Sequence, residues 1–225
     1  VHIFGTDDLG RDLFTRVACG LRISLAISVI AAAVDGLIGL SWGVVAGYSG
    51  GRIDLVMMRI AEMIYSLPYL LVAILITVVV GPGFFPILAS MILIGWIQMA
   101  RITRNLVLPL RNAEFVLAAS TLGVKAPGII TRHIVPNIAG PVVCVAMLTI
   151  PQAIFAEAFL SFLGIGIQPP HASLGSLVSD ALGAMRHYPW RLFIPSLAIT
   201  MIIFAFNIIG DGIRDLLDPQ SRVHV

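Results

Sequence analysis

The sequence predicts an all-α, polytopic integral membrane helical bundle. Three observations carry that reading: long apolar stretches, few charges, and charges gathered where the stretches end. Of the 225 residues, 58% are hydrophobic and only 12% charged, which leaves too little polar surface to coat a soluble globule of this size. Backbone in lipid must satisfy its own polar groups, so only helices or closed barrels can cross, and the runs are far too long for barrel strands.

A span needs roughly 20 mostly apolar residues. The first is expected at Ile23 to Ala46, interrupted by Asp35 and closed by Gly47-Tyr48-Ser49-Gly50-Gly51, and the second at Val56 to Val80. No charge occurs between Met63 and Ala100, but Gly81-Pro82-Gly83 divides the stretch. A tight hairpin there leads to a third span at Phe84 to Ala100. A fourth is expected at Val135 to Ala156 and a fifth at Leu192 to Gly210. Residues 1–22 form an external segment, and 23–225 form one transmembrane domain.

Orientation follows the side on which Lys and Arg gather. Gly47 to Arg59, Arg101 to His133 and the tail after Gly210 alternate to one side with nine such residues, against Arg11, Arg16, Arg22, Arg186 and Arg191 on the other. The richer side is expected to be cytoplasmic. The N-terminal segment then lies outside, which calls for an earlier span. The opening Val1-His2-Ile3-Phe4-Gly5 has no initiator Met and no signal-peptide pattern, in keeping with a truncated start.

Several classes fall away. A net charge of +2, with no basic tract interleaved with aromatics, gives nucleic acid no surface. Cys19 and Cys144 are too few for a disulfide framework. No GxxxxGK[ST] loop is present to cradle ATP phosphates, and scattered Ser, His and Asp residues make no hydrolase triad. His133 and His171 lack a neighbouring ligand at metal spacing, so neither a metal nor a cofactor is expected.

The longest connection, Arg101 to Val135, exceeds what a turn needs. Asn112 can cap a helix whose Glu114 suits the positive N-terminal end, with Phe115, Ala118, Ala119 and Leu122 on one face and Gly123 as a left-handed stop. A second short helix can start near Pro127 and run to Ile134, where Pro136 breaks it. The small residues leave room for a partner protein to approach; an amphipathic hairpin on lipid headgroups reads equally well from periodicity.

Asp35, an ionisable residue inside the first span, is expected to face the bundle interior in a pathway or packing role. Glu62 and Glu157, near span ends, are expected to reach water and act structurally. Leu174, Leu177, Val178, Ala181, Leu182 and Met185 mark a short amphipathic helix on the outer face, which either shapes the outer mouth or lies at the interface beside Tyr188 and Trp190.

The stretch Glu114-Phe115-Val116-Leu117-Ala118-Ala119-Ser120-Thr121-Leu122-Gly123, followed by Arg132-His133-Ile134-Val135-Pro136-Asn137, resembles the coupling (EAA) loop of binding-protein-dependent ABC importer permeases. Leu117 stands where many of these have Glu. Three further segments resemble the C-type permease of oligopeptide, dipeptide and nickel importers. They are Phe4 to Asp12 with Arg22-Ile23-Ser24-Leu25, Phe159 to Pro170, and Phe206 to Pro219; Leu174 replaces a frequent Trp.

The resemblance implies a six-span subunit that hydrolyses no ATP itself. It also implies partners: a second permease subunit, two cytoplasmic ATP-binding subunits and an extracellular solute-binding protein, all in membrane lipid. Glu114, Ala118, Ala119, Gly123, His133 and Pro136 would form the ATPase-coupling loop. The implied cargo is an oligopeptide or dipeptide, with nickel or another small solute as the alternative. An ion-coupled secondary transporter is the rival from another class.

Overall fold

The computed structural model describes residues 2–217. Its order is α1 (Leu13–Ser49), α2 (Gly51–Tyr65), α3 (Tyr69–Val80), α4 (Phe84–Arg111), α5 (Glu114–Thr121), α6 (Ala126–Ile129), a π-helical turn (Ile130–Ile134), α7 (Val135–Phe162), α8 (Leu174–Ala181) and α9 (Trp190–Leu217). Among the described residues no strand is formed. Among the described residues four helices are long and apolar enough to cross a membrane, or five if the bent pair α2 and α3 counts as one span. The tail from Asp218 onward, which includes Arg222 and the end of the Phe206 to Pro219 segment, lies outside the described residues.

Four expectations shift. α1 begins at Leu13, ten residues ahead of the hydropathy boundary, because Asp12 caps it: Oδ2 accepts from the Thr15 N–H at 2.9 Å and the Thr15 hydroxyl at 2.7 Å. Residues 13–22 are therefore already part of the first helix. The second span is broken at Ser66-Leu67-Pro68, where Pro68 lacks the N–H that would continue the helix. α4 runs past Ala100 to Arg111, since charge ends an apolar run without ending a helix. α7 likewise continues through Glu157 to Phe162.

The chain divides into two compact units. The first holds residues up to Ala32, Pro68–Leu93 and Thr149–Ile208; its core joins Ile27 and Ala31 of α1, Ala73 of α3, Ile87 and Met91 of α4, and Ala153 and Leu160 of α7. Gly81 and Gly83 turn α3 into α4 with φ of 93° and 151°, a region that side chains disfavour. The hairpin is the one the sequence predicts.

The second unit holds Ala33–Leu67, Ile94–Leu148 and the chain from Ile209. Its core joins Val44 of α1, Met99 and Val107 of α4, Val116 and Ala119 of α5, and Ile138 and Val142 of α7. Along α1, Gly39, Gly43 and Gly47 recur every fourth residue and face α4. A Cβ at Gly39 would meet the Trp96 carbonyl at 2.6 Å, one at Gly43 would meet Thr103 Cβ at 2.6 Å, and one at Gly47 would meet Val107 Cβ at 2.9 Å. Absent side chains let the two backbones approach closely, which is how helices without a hydrophobic driving force gain contact in lipid.

Candidate functional site

The connection after α4 folds as the expected helical hairpin, with a different inner face. Asn112 does not cap α5; the N-cap is Ala113, with no side-chain hydrogen bond to the helix. Glu114 is the first helical residue and exposed. Val116 and Ala119 are 3% and 8% exposed and join Ile129, Ile134 and Ile138 in the unit's core, whereas Leu122 is 84% exposed, Leu117 52% and Phe115 41%. Ala119 thus joins Val116 on the covered side of α5, while Phe115, Ala118 and Leu122 stay exposed. The cause is a wider competition for the face than the helix alone reveals: burial of Val116 against α1, α4 and α7 fixes the rotation of α5.

Gly123 ends α5 as read from sequence, at φ 82°. Its N–H donates to the Ser120 carbonyl at 3.0 Å and that of Val124 donates to Ala119 at 3.1 Å, a paired closure that satisfies two free carbonyls. His133 lies in the π turn, with its ring 6.3 Å from that of Phe115, so the two halves of the hairpin meet there. Pro136, exposed, does not break the chain into separate helices. It is the second residue of α7, and the π turn before it tolerates a residue that has no N–H to donate. The outer surface of the hairpin is therefore an exposed apolar patch carried on a buried, closely packed inner face.

Asp35 is 5% exposed and stands one turn before Gly39 on the glycine stripe. The Trp96 backbone hydrogen-bonds its carboxylate, and a Cβ at Gly95 would collide with that carboxylate. This is the interior placement that the sequence predicts. Asp54 of α2 and Arg104 of α4 form a two-point ion pair, while Arg101 lies 4.4 Å over the Tyr65 ring. Asp54 and Arg104 were not singled out from sequence, since fifty residues separate them and no local pattern links them.

Glu157 corrects a reading. It does not reach water but is 0% exposed on α7, where the Ser24 hydroxyl donates to Oε2 at 2.6 Å and that of Ser161 donates to Oε1 at 2.7 Å. Glu62 does stay exposed, 3.3 Å from Arg59. The helix beginning at Leu174 forms over the expected residues but ends at Ala181, and Leu174, Leu177 and Ala181 are 0%, 3% and 3% exposed. It is docked into its own chain.

The segment before α1 is ordered by carboxylates. Asp7 accepts from the N–H groups of Leu9 and Arg11 at 2.9 and 2.8 Å, and from the Arg11 and Arg16 guanidinium groups at 2.7 and 2.8 Å. Burial raises its pKa, but these hydrogen bonds and the Arg11 charge outweigh that and hold the carboxyl below its usual value. Arg16 also reaches Asp180 at 3.4 Å, and Asp8 pairs with Arg191, whose guanidinium lowers the Asp8 pKa.

Residues 39–223 match the family described as binding-protein-dependent transport system inner membrane component. The chain is 52% identical over 221 residues to the oligopeptide transport system permease protein OppC of Bacillus subtilis, covering 98% of this chain and 72% of that protein. It is also 52% identical to the dipeptide transport system permease protein DppC of the same organism, covering 98% and 69%. OppC of Escherichia coli K12 is 46% identical, with 98% and 73% covered. Among solved structures, an inward-facing MetNI methionine ABC transporter matches with a TM-score of 0.75 at 16% identity, over 91% of this chain and 97% of that one, a likeness of fold. The chain therefore belongs to the binding-protein-dependent transport system inner membrane component family and is a multi-pass membrane permease subunit of an ABC transporter.

Proposed function

We propose that this permease forms half of the translocation path of an ATP-driven importer of short peptides, and that the α5–α6 hairpin receives the motion of cytoplasmic ATPase subunits. The observation that carries the coupling role is the hairpin's two-sidedness. Phe115, Leu117, Ala118 and Leu122 are exposed, while Val116 and Ala119 pack in one core with α1, α4 and α7. A push on the outer face reaches those helices as displacement of a packed body. The peptide cargo is supported by relatives named for oligopeptide and dipeptide transport.

Excess Lys and Arg on the hairpin side supports a cytoplasmic hairpin and C-terminus. The chain itself is non-catalytic, since it contains no phosphate-cradling loop. The assembly in this reading has a second permease subunit, two ATP-binding subunits and an extracellular solute-binding protein. Asp35 serves packing: it shares the glycine stripe of α1 and fits the space left by Gly95.

Uptake of a labelled tripeptide, in cells with and without the gene, at clamped ATP and with the proton gradient collapsed, tests this. Gene-dependent uptake that survives loss of the gradient is expected. Gene-independent peptide uptake would turn the substrate reading to nickel or another small solute, and gradient-dependent uptake would overturn ATP coupling.

A further inference from the structure

A fully buried carboxylate is costly unless every oxygen is satisfied, and a leucine would fill the same space without that cost. Glu157 is such a carboxylate, and its partners lead to one place. The Ser24 hydroxyl that donates to Oε2 also accepts the Leu174 N–H at 3.2 Å. Leu174 opens α8, so its N–H has no partner within that helix. The N-cap Ser173 is occupied elsewhere, accepting from the Ser176 N–H at 3.3 Å. Ser24 of α1 thus closes the first turn of α8, and Glu157 of α7 fixes which way the Ser24 hydroxyl points.

The same turn is wedged by absent side chains. A Cβ at Gly20, one turn before Ser24, would lie 3.1 Å from the Ser173 carbonyl carbon and 3.2 Å from the Leu174 nitrogen. A Cβ at Gly175 would collide with the Ala158 backbone, next to Glu157. Ser173 and Leu174 are both 0% exposed. From these contacts we infer that Glu157 is a positioning residue for transport: acting through Ser24, it locks the short helix α8 to α1 and α7, so that the three move as one body in each cycle. The helix that carries Glu157, α7, begins at Val135, directly after the hairpin. This rests on the ATP-driven reading above, and it goes beyond that reading in assigning a residue far along the chain from the coupling loop.

The role requires an acceptor toward Ser24, not a charge. Gln keeps an oxygen for Ser24 and can turn its amide N–H toward Ser161; Leu keeps only the volume. The test uses the complex purified from native cells through a tag on this chain and reconstituted in liposomes, measuring labelled tri-alanine uptake per ATP hydrolysed and amide exchange at Leu174. Glu157→Gln is expected to match the parent in both. Glu157→Leu and Ser24→Ala are expected to expose the Leu174 amide and to lower uptake per ATP by about fivefold, the scale set by losing one hydrogen bond to a buried carboxylate. If Glu157→Leu does not reach the membrane, Ser24→Ala decides.

An unchanged ratio in Ser24→Ala, or a Glu157→Gln protein that fails as badly as a Leu variant, would overturn the inference. If the parent complex shows no ATP-driven uptake, the proposed function fails instead, while exchange at Leu174 still reads the lock by itself.

Discussion

Arg104 grips Asp54 with both arms of its guanidinium, Nε on Oδ1 and Nη2 on Oδ2, the latter at 2.6 Å. The Asp54 side chain is 10% exposed and that of Arg104 29%. The pair ties α2 to the part of α4 that extends past its apolar run.

Removing one partner of this pair leaves the other charge half-buried and alone. Asp54→Ala should cost about 2–3 kcal/mol, below the range for a fully buried pair because Arg104 retains some solvent. Arg104→Lys should lose roughly half of that, since an ammonium cannot make the planar two-point contact. Thermal unfolding in detergent measures both, and equal stability of the parent and Asp54→Ala would deny the pair any structural weight.

The α1–α4 seam makes a sharper contrast within one helix. Gly43→Val should be strongly destabilising, by about 3 kcal/mol or more, because its Cβ would overlap Thr103 and the Ala100 carbonyl. Gly36→Ala, three residues before Gly39 on the same helix, meets nothing within 4 Å and should be neutral or gain up to about 1 kcal/mol from the stiffer helix. Comparing the melting temperatures of the two variants checks the assignment of faces.

Much of this architecture was legible in the sequence, and the misses share a cause. The apolar runs located α1, α4, α7 and α9, and Gly123 and Gly81-Pro82-Gly83 announced their turns because backbone conformation is a local property. Helix ends at Leu13 and Arg111 were missed because hydropathy marks where lipid ends, while a cap or an ion pair lets the helix continue. Periodicity places Ala119 on the outer face, since it gives the spacing of a stripe but not which stripe the rest of the chain covers. The contacts of Glu157 with Ser24, and of Asp54 with Arg104, join residues far apart in sequence that no spacing rule connects.

The segment before α1 should respond to acid. The Asp7 carboxyl is held below its ordinary value of 3.8 in the folded chain, so its contribution is present above that pH and is lost as pH falls through the lower, folded value. Amide protection of Leu9 and Arg11, whose N–H groups bond Asp7, should be level from pH 8 to pH 5 and fall below pH 3.8. Asp7→Asn should lower it at neutral pH as well, by removing the charge that holds Arg11 and Arg16. Protection that instead declines between pH 7 and pH 5 would point to a different group.

Neighbouring alanines in α5 should separate stability from coupling. Ala119 is 8% exposed in the core shared with α1, α4 and α7, so Ala119→Asp buries an unpaired carboxylate and should cost about 3 kcal/mol or more, reducing the amount of folded protein. Ala118 is exposed beside Phe115 and Leu122, so Ala118→Asp should leave the melting temperature within a degree or two of the parent, as surface changes do. If the exposed patch is where an ATPase subunit sits, that same charge should cut ATP-driven uptake by about tenfold or more, since a carboxylate would have to be desolvated in an apolar contact. Uptake normalised to folded protein in the membrane distinguishes the two effects. A fully active Ala118→Asp protein would move the docking contact off this face, whereas loss of uptake at unchanged stability would place the contact at Phe115, Ala118 and Leu122.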